Sequence, residues 1–286
     1  MRSIRDSFLF VFFFLLPKNC ISCLVGRLAS LSLPRAITLV IIKGFCRRYR
    51  VDVHEAEKPL DQYKTLQEFF TRKLKPKLRP ISKTSNIIAS PCDGALQVAH
   101  RISDGLLFQA KGRTYLLKDL LQNESLAYRF AGGLFATLYL SPRDYHRFHV
   151  PISGEIIDTI HVPGSLWPVN PWAVRNVRNL FCQNERVITL IKEPERNLLL
   201  AHIAVGATMV GKIELAYCDL SPMSHHRSKA VTAMAHPPIS VTLGQDLGKF
   251  MFGSTIILLC EAGLTNGFLP AAPSSVRVGQ VLARLA

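Results

Sequence analysis

The chain has 286 residues, enough for one substantial core with an appendage. Its 48% hydrophobic content is high, yet no stretch offers the roughly 20 apolar residues of a clear membrane-spanning helix. A balance of 35 Lys and Arg against 20 Asp and Glu, formally +15, points to an anionic partner, and seven scattered cysteines suggest no disulfide framework.

Residues 1–50 hold nine basic side chains and one acid, Asp6, interleaved with Phe, Leu, Ile and Val. That mixture suits an anionic membrane surface better than a nucleic-acid groove. No zinc-finger spacing or aromatic RNA-binding motif occurs, so no nucleic-acid partner is expected. Cys20-x-x-Cys23 has no second pair at zinc-ribbon spacing. Arg2, Arg5 and the apolar run 8–16 imitate a signal peptide, but Pro17-Lys18-Asn19 ends the run and no small-x-small cleavage site follows. The run reads as a retained surface anchor, with a cleaved signal as the alternative. Pro34 suits a helix first turn, and the run 34–50 ends in Arg47, Arg48 and Arg50, cations fitted to a helix C-terminus and to lipid phosphates. With 24–31, this makes residues 1–60 a helical membrane-association region. Ordinary core helices are the plainer alternative.

Residues 51–80 read as a connector. Thr65 and Glu68 fit a capping box that opens a helix. The basic run TRKLKPKLRP, residues 71–80, reads as a solvated face that could also meet anionic lipid, and carries no expected catalytic role.

From residue 86 short apolar runs alternate with turn residues: 86–89, 95–102, 134–140, 154–162, 186–191, 198–205, 211–215 and 240–243. The expected fold class is α+β, with the N-terminal helices followed by a β-rich, partly closed, barrel-like domain over 61–286. Residues 216–238, with His225, His226 and Pro237-Pro238, read as a loop-rich insertion.

Three constellations could carry chemistry. SPCDG places Asp93 on a turn framed by Pro91 and Gly94, ordinary when taken alone. LSPRDYHRFHVP packs His146 and His149 among Arg, Asp and Tyr, as acid/base groups, metal ligands or caps. GKFMFGSTIILL, residues 248–259, would be a buried strand were it not interrupted by Gly253-Ser254-Thr255, where a bulge is the plain reading. Asp, His and Ser are the types needed to activate a hydroxyl.

The order of these motifs resembles the phosphatidylserine decarboxylase family, in its long, membrane-associated bacterial type. The landmarks span nearly the whole chain: EFFTR ending at Arg72 with Arg79-Pro80-Ile81, SPxDG at 90–94, and LSPRDYHRxH at 140–149. Pro163-Gly164 with Val169-Asn170 comes next, then NERV at 184–187, VGAT at 205–208 with Val210-Gly211, and finally Gly248-x-Phe250 leading to Gly253-Ser254-Thr255. The resemblance implies a proenzyme that cuts itself between Gly253 and Ser254 into a β chain, 1–253, and an α chain, 254–286. Ser254 would become a pyruvoyl cofactor, and Asp93, His149 and Ser254 would form the self-cleavage triad. The pyruvoyl carbonyl would condense with the serine amine as a Schiff base and accept the electrons released with CO2, giving phosphatidylethanolamine. His146 would handle substrate or transfer a proton, Arg147 would meet the lipid phosphate or serve a structural role in its turn, and Thr255 would position the turn. No metal is implied. The implied partners are phosphatidylserine, an anionic membrane at the cytoplasmic face, the protein's own two chains and, as an option, a homodimer. Phe252 stands where many bacterial members have Leu, and residues 216–238 match the family poorly. The rival readings are a membrane-attached zinc hydrolase using His146 and His149 with one of His202, His225, His226 or His236, and a non-catalytic β-rich binding protein.

Overall fold

A computed structural model describes residues 17–82, 84, 86–110, 113–208, 212–220, 232–234, 237–251 and 254–286. The expected anchor at 8–16 lies outside them. The first helices are Lys18–Ala29 and Arg35–Tyr49. Pro34 is the N-cap of the second, one position ahead of the first turn, and Arg50 ends it in the left-handed region at φ 57°. Its inward residues Ile42 and Cys46 join Val51, Tyr63 and Phe69 in a small core, while Ile37, Val40 and Ile41 face outward, Val40 being 70% exposed. Among the described residues no helix is long and apolar enough to cross a membrane.

The short Leu66–Phe70 helix starts as its sequence predicts. Thr65 Oγ1 accepts from the Glu68 amide at 2.9 Å. Glu68 reaches back one residue further than a capping box requires, accepting from the Lys64 amide at 2.8 Å.

The main sheet has nine antiparallel strands. Their order is Thr232–Met234, Gly154–Val162, Arg186–Glu193, Leu198–Val205, Ser254–Cys260, Leu134–Leu140, Gly94–Arg101 and Ser274–Val276, with Ile239–Val241 also on Gly154–Val162. Ser254–Cys260 is central, pairing Leu134–Leu140 in unbroken register from Ser254 against Leu140 to Cys260 against Leu134. All seven of its residues are buried, the aliphatic and β-branched run that a strand covered on both faces requires.

The sheet is open, which corrects the barrel-like expectation. Among the described residues its two edges, Thr232–Met234 and Ser274–Val276, do not pair with one another across a seam. Both are three residues long, a ladder too short to close a barrel but short enough to blunt an edge. The alternating runs were legible; whether they close depends on pairings that periodicity does not encode.

Two three-stranded sheets flank this frame. One orders Ile213–Leu215, Asp246–Phe250 and Arg147–His149; the other orders Ile87–Ala89, Val281–Leu285 and Thr265–Phe268. The run at 248–259 is therefore not one bulged strand. Its first half belongs to a small sheet and its second to the main sheet; Phe252 and Gly253 between them lie outside the described residues.

Candidate functional site

Ser254 is the first residue of the central strand, wholly buried, and its Oγ has no hydrogen-bond partner. The neighbouring Thr255 Oγ1 is likewise buried and unpartnered. Buried hydroxyls are normally satisfied, so an orphan at the head of the central strand stands out; Thr255, the next residue, projects to the opposite face of the sheet. Gly253, the other half of the expected cleavage site, lies outside the described residues.

Asp93 reaches the same strand ends from the opposite side. Gly94 lies so close to the Leu134–Leu140 strand that an added Cβ would stand 2.4 Å from the Tyr139 carbonyl oxygen and 3.6 Å from the Leu140 Cα. Leu140 in turn pairs with Ser254. Asp93 and Ser254 thus approach the end of one strand from its two sides, about two strand spacings or roughly 10 Å apart. Glycine is needed here because of this close approach, and the SPCDG turn is the local signal of it.

The Asp93 carboxylate is 7% exposed and is held by Arg79, whose Nε donates to both of its oxygens at 2.9 Å. The Val278 amide donates to Oδ1 at 2.9 Å, and the other end of the Arg79 guanidinium pairs with Glu55 at 2.7 Å. Burial pulls the Arg79 pKa down, but its bonds to Asp93 and Glu55 outweigh that and hold it above its ordinary value. Sequence reasoning missed Arg79 and Glu55 as site residues. The basic run 71–80 is not a uniformly solvated face: its lysines are exposed, whereas Arg72 is 4% exposed and the Arg79 side chain 9%. The distinction is chemical, since a planar guanidinium can be buried against carboxylates that an ammonium serves less well.

His149 comes from the Arg147–His149 strand. Its amide donates to the Pro91 carbonyl at 2.8 Å, tying it to the Asp93 turn. Its Nδ1 lies 2.9 Å from the Gly244 carbonyl and its Nε2 3.2 Å from Tyr145 Oη. A carbonyl only accepts, so Nδ1 carries the proton and Nε2 offers its lone pair, the arrangement of a general base. Burial lowers the His149 pKa, opposed by the Gly244 bond and by the nearby Asp246 charge. Asp93 and His149 share no hydrogen bond, and neither bonds Ser254. His149 meets the Asp93 turn through Pro91, and no hydrogen bond links the three into a relay. In the sequence Tyr145 is one member of a dense polar cluster, and only the fold sets its hydroxyl on His149 Nε2.

His146 is fully buried against Phe70, with ring centroids 4.0 Å apart. Its Nδ1 donates to the Asp144 carbonyl at 2.8 Å, leaving Nε2 unpartnered. Burial drops its pKa to about 3, so it is a neutral acceptor at physiological pH. The Phe250 amide donates to the His146 carbonyl at 2.9 Å, which ties His146 to the segment that leads into Ser254. Arg147 forms an ion pair with Asp246 at 3.2 Å.

Behind the strand ends, the buried Asn184 bonds the Trp167 amide and carbonyl and the Gly206 carbonyl at 2.8–3.0 Å. This pins the 163–170 loop beside the strand that pairs Thr255. An apolar cleft of about 470 Å³ opens there toward the N-terminal helices, bordered by Leu28, Ile41, Phe45, Phe70, Tyr139 and Thr208. Phe70 touches His146 and Tyr139 pairs with Thr255, so the cleft runs from the helices to the back of the site. Among the described residues no three His, Cys, Asp or Glu side chains converge as a metal would require. Of the histidines weighed as zinc ligands, His202 is stacked on Phe148 in the core, and His225, His226 and His236 lie outside the described residues.

A family model described as phosphatidylserine decarboxylase matches residues 66–284. A protein of Anaeromyxobacter sp. (strain K), named phosphatidylserine decarboxylase proenzyme, is 45% identical over 270 residues, covering 94% of this chain and 95% of its own. One of the same name from Shewanella frigidimarina (strain NCIMB 400) is 40% identical and covers 98% and 99%. Another, from Myxococcus xanthus (strain DK1622), is 39% identical and covers 86% of each chain.

Proposed function

The chain belongs to the phosphatidylserine decarboxylase family of enzymes, and on that premise we propose that it matures by cutting its own backbone and then converts phosphatidylserine to phosphatidylethanolamine and CO2. The observation that carries this reading is the Ser254 hydroxyl, buried and without a partner at the first position of the central strand.

In the first stage the Ser254 Oγ attacks the Gly253 carbonyl carbon while its proton passes to a base. The peptide C–N bond breaks, an ester forms, and the Ser254 nitrogen becomes a free amine. Loss of the Ser254 α proton then expels the Gly253 carboxylate from Cβ. Hydrolysis of the resulting enamine releases ammonia and leaves a pyruvoyl group as the first residue of the α chain, with 1–253 as the β chain. His149 is the base best equipped for this, with Nε2 unprotonated and its tautomer fixed by Gly244. Asp93 supports the site electrostatically from across the strand end. Glycine at 253 lets the nucleophile approach, having no Cβ.

The residues present suit a pyruvoyl group: the orphan hydroxyl that gives rise to it, Thr255 beside it and the unpartnered His146 Nε2 in the adjoining segment. Once formed, the group supplies a carbonyl that takes the substrate amine and accepts the electrons freed with CO2. His146, neutral and buried, accepts or relays a proton at Nε2 during that stage. The apolar cleft holds acyl chain; Arg147 is paired with Asp246 and is assigned no headgroup role. The exposed Ile37, Val40 and Ile41, with Arg47 and Arg48 in the last turn of the same helix, favour residence as a peripheral protein on an anionic, cytoplasmic membrane face.

Phosphatidylserine vesicles given to the wild-type protein should yield phosphatidylethanolamine, and Ser254→Ala should yield none and remain uncut. Product formation by the uncut variant would overturn the reading. For the membrane portion, a protein lacking residues 1–50 should bind these vesicles more weakly than the intact one, and equal binding would remove the claim.

A further inference from the structure

Arg79 is the hub of a cluster in which two acids share one cation, and every donor of its guanidinium is engaged. Nε and Nη2 face Asp93. Nη2 also donates to Glu55 Oε2 at 2.7 Å, and Nη1 donates to Glu55 Oε1 at 3.1 Å and to the Leu78 carbonyl at 3.2 Å. A guanidinium is planar and rigid, so the paired bonds to Glu55 on one edge fix the direction in which the other edge meets Asp93. The charge balance also differs from that of an ordinary ion pair. Arg79 and Asp93 alone would cancel, whereas Glu55 leaves the cluster with one formal negative charge. Arg277 does little to offset it, standing 3.9 Å from Glu55 with its side chain 68% exposed, where water screens the contact.

Glu55 is itself held in place. It closes the single 3-10 turn Val53–Glu55, which Asp52 caps by accepting from the His54 amide at 2.9 Å. The Lys75 amide donates to the Glu55 carbonyl and the Glu57 amide to the Lys73 carbonyl, both at 2.9 Å, which clasps the turn to the segment leading into Arg79. Just upstream, Val51 packs with Ile42 and Cys46 of the Arg35–Tyr49 helix in the small core. Glu55 therefore belongs to the body that carries the N-terminal helices, while Ser254 belongs to the main sheet.

We propose that Glu55 is a positioning residue for self-cleavage, acting through Arg79 on Asp93, so that the segment after the N-terminal helices is part of the maturation machinery. The inference rests on the self-cleavage reading above. Glu55 touches no reacting atom. Its effect is to hold the Arg79 fork in the plane that seats the Asp93 carboxylate, and to keep that carboxylate from being neutralised by its own anchor.

The test follows the appearance of the two chains from the full-length protein, at a temperature below the melting transition of every variant. Glu55→Gln keeps the shape and removes the charge, and should slow cleavage about tenfold, the low end of the range for a partner that orients a functional group. Glu55→Asp keeps the charge on a shorter side chain and should bring the loss back to about threefold. Glu57→Gln removes the same charge from an exposed position two residues away and should cut at the wild-type rate. The decisive variant is Glu55→Gln/Arg79→Gln. If Glu55 acts through Arg79, this double variant is no more than about twofold slower than Arg79→Gln alone. A merely structural Glu55 would lower the melting temperature without moving the rate, or would add its full loss to that of Arg79→Gln, and either result would overturn the inference. An equal loss in Glu57→Gln would do the same. A wild-type chain that stays whole would overturn the self-cleavage reading, and this inference with it.

Discussion

Arg79 grips Asp93 through a forked contact, its Nε 2.9 Å from each carboxylate oxygen, while His149 is held separately by Gly244 and Tyr145. In the uncut chain, the acid of the expected triad is therefore anchored by a cation and not by the histidine. Because Arg79 also binds Glu55, this contact ties the segment after the N-terminal helices to the site.

Arg79→Gln should leave Asp93 without its ionic anchor and slow self-cleavage by about 10- to 100-fold, the scale of losing a partner that orients a functional group. Arg79→Lys keeps the charge but not the fork and should fall between. The appearance of the two chains over time measures both, alongside melting curves that report folding. Wild-type cleavage in Arg79→Gln would refute the anchoring role.

His149→Ala should slow the cut by at least about 100-fold. Tyr145→Phe removes only the hydroxyl that occupies Nε2, and should change the rate by no more than about fivefold, the equivalent of ~1 kcal/mol for one hydrogen bond. If Tyr145→Phe were as damaging as His149→Ala, the tyrosine would be part of the proton path and not a resting partner.

Acid should destabilise the protein through its core histidines. Burial lowers both His146 and His202 to about 3 from an ordinary 6.5. Between those values the unfolded chain binds protons that the folded chain refuses, so stability is present above pH 6.5 and lost as pH falls toward 3. Each histidine contributes a loss of about 2 kcal/mol by pH 5. Denaturant titrations of uncut Ser254→Ala at pH 7 and pH 5 should show this fall, and His202→Leu in that background should roughly halve it. An unchanged fall in the His202→Leu variant would exclude His202 as a source.

Gly94→Ala places a Cβ 2.4 Å from the Tyr139 carbonyl oxygen, a backbone atom that cannot swing aside. The strand end must shift, at a cost of about 1–3 kcal/mol, and Asp93 shifts with it. Lowered thermal stability together with slower self-cleavage is expected. A normal melt with normal cleavage would mean that the close approach does not govern the site.

Much of this arrangement was readable from sequence where the signal is local. The strands Leu134–Leu140, Gly154–Val162 and Leu198–Val205 have the predicted bounds because their apolar runs end at turn residues. Thr65 caps its helix as its spacing to Glu68 suggests. The illegible parts are long-range. Asp93 takes an amide from Val278, 185 positions away, and no spacing rule predicts that. The run 248–259 looked like one strand because both halves are apolar, whereas the two halves hydrogen-bond to different sheets. Arg72 and Arg79 looked solvated because their neighbours are lysines, and only the fold turns them inward.

The central claim is that Ser254 cuts the chain before itself and becomes the reactive group. Intact-mass spectrometry of the purified wild-type protein tests it most directly. Two chains are predicted, ending and beginning at Gly253 and Ser254, with the smaller carrying a ketone in place of its terminal amine, while Ser254→Ala gives one uncut chain. A decarboxylating preparation composed only of single, unmodified 286-residue chains would contradict it.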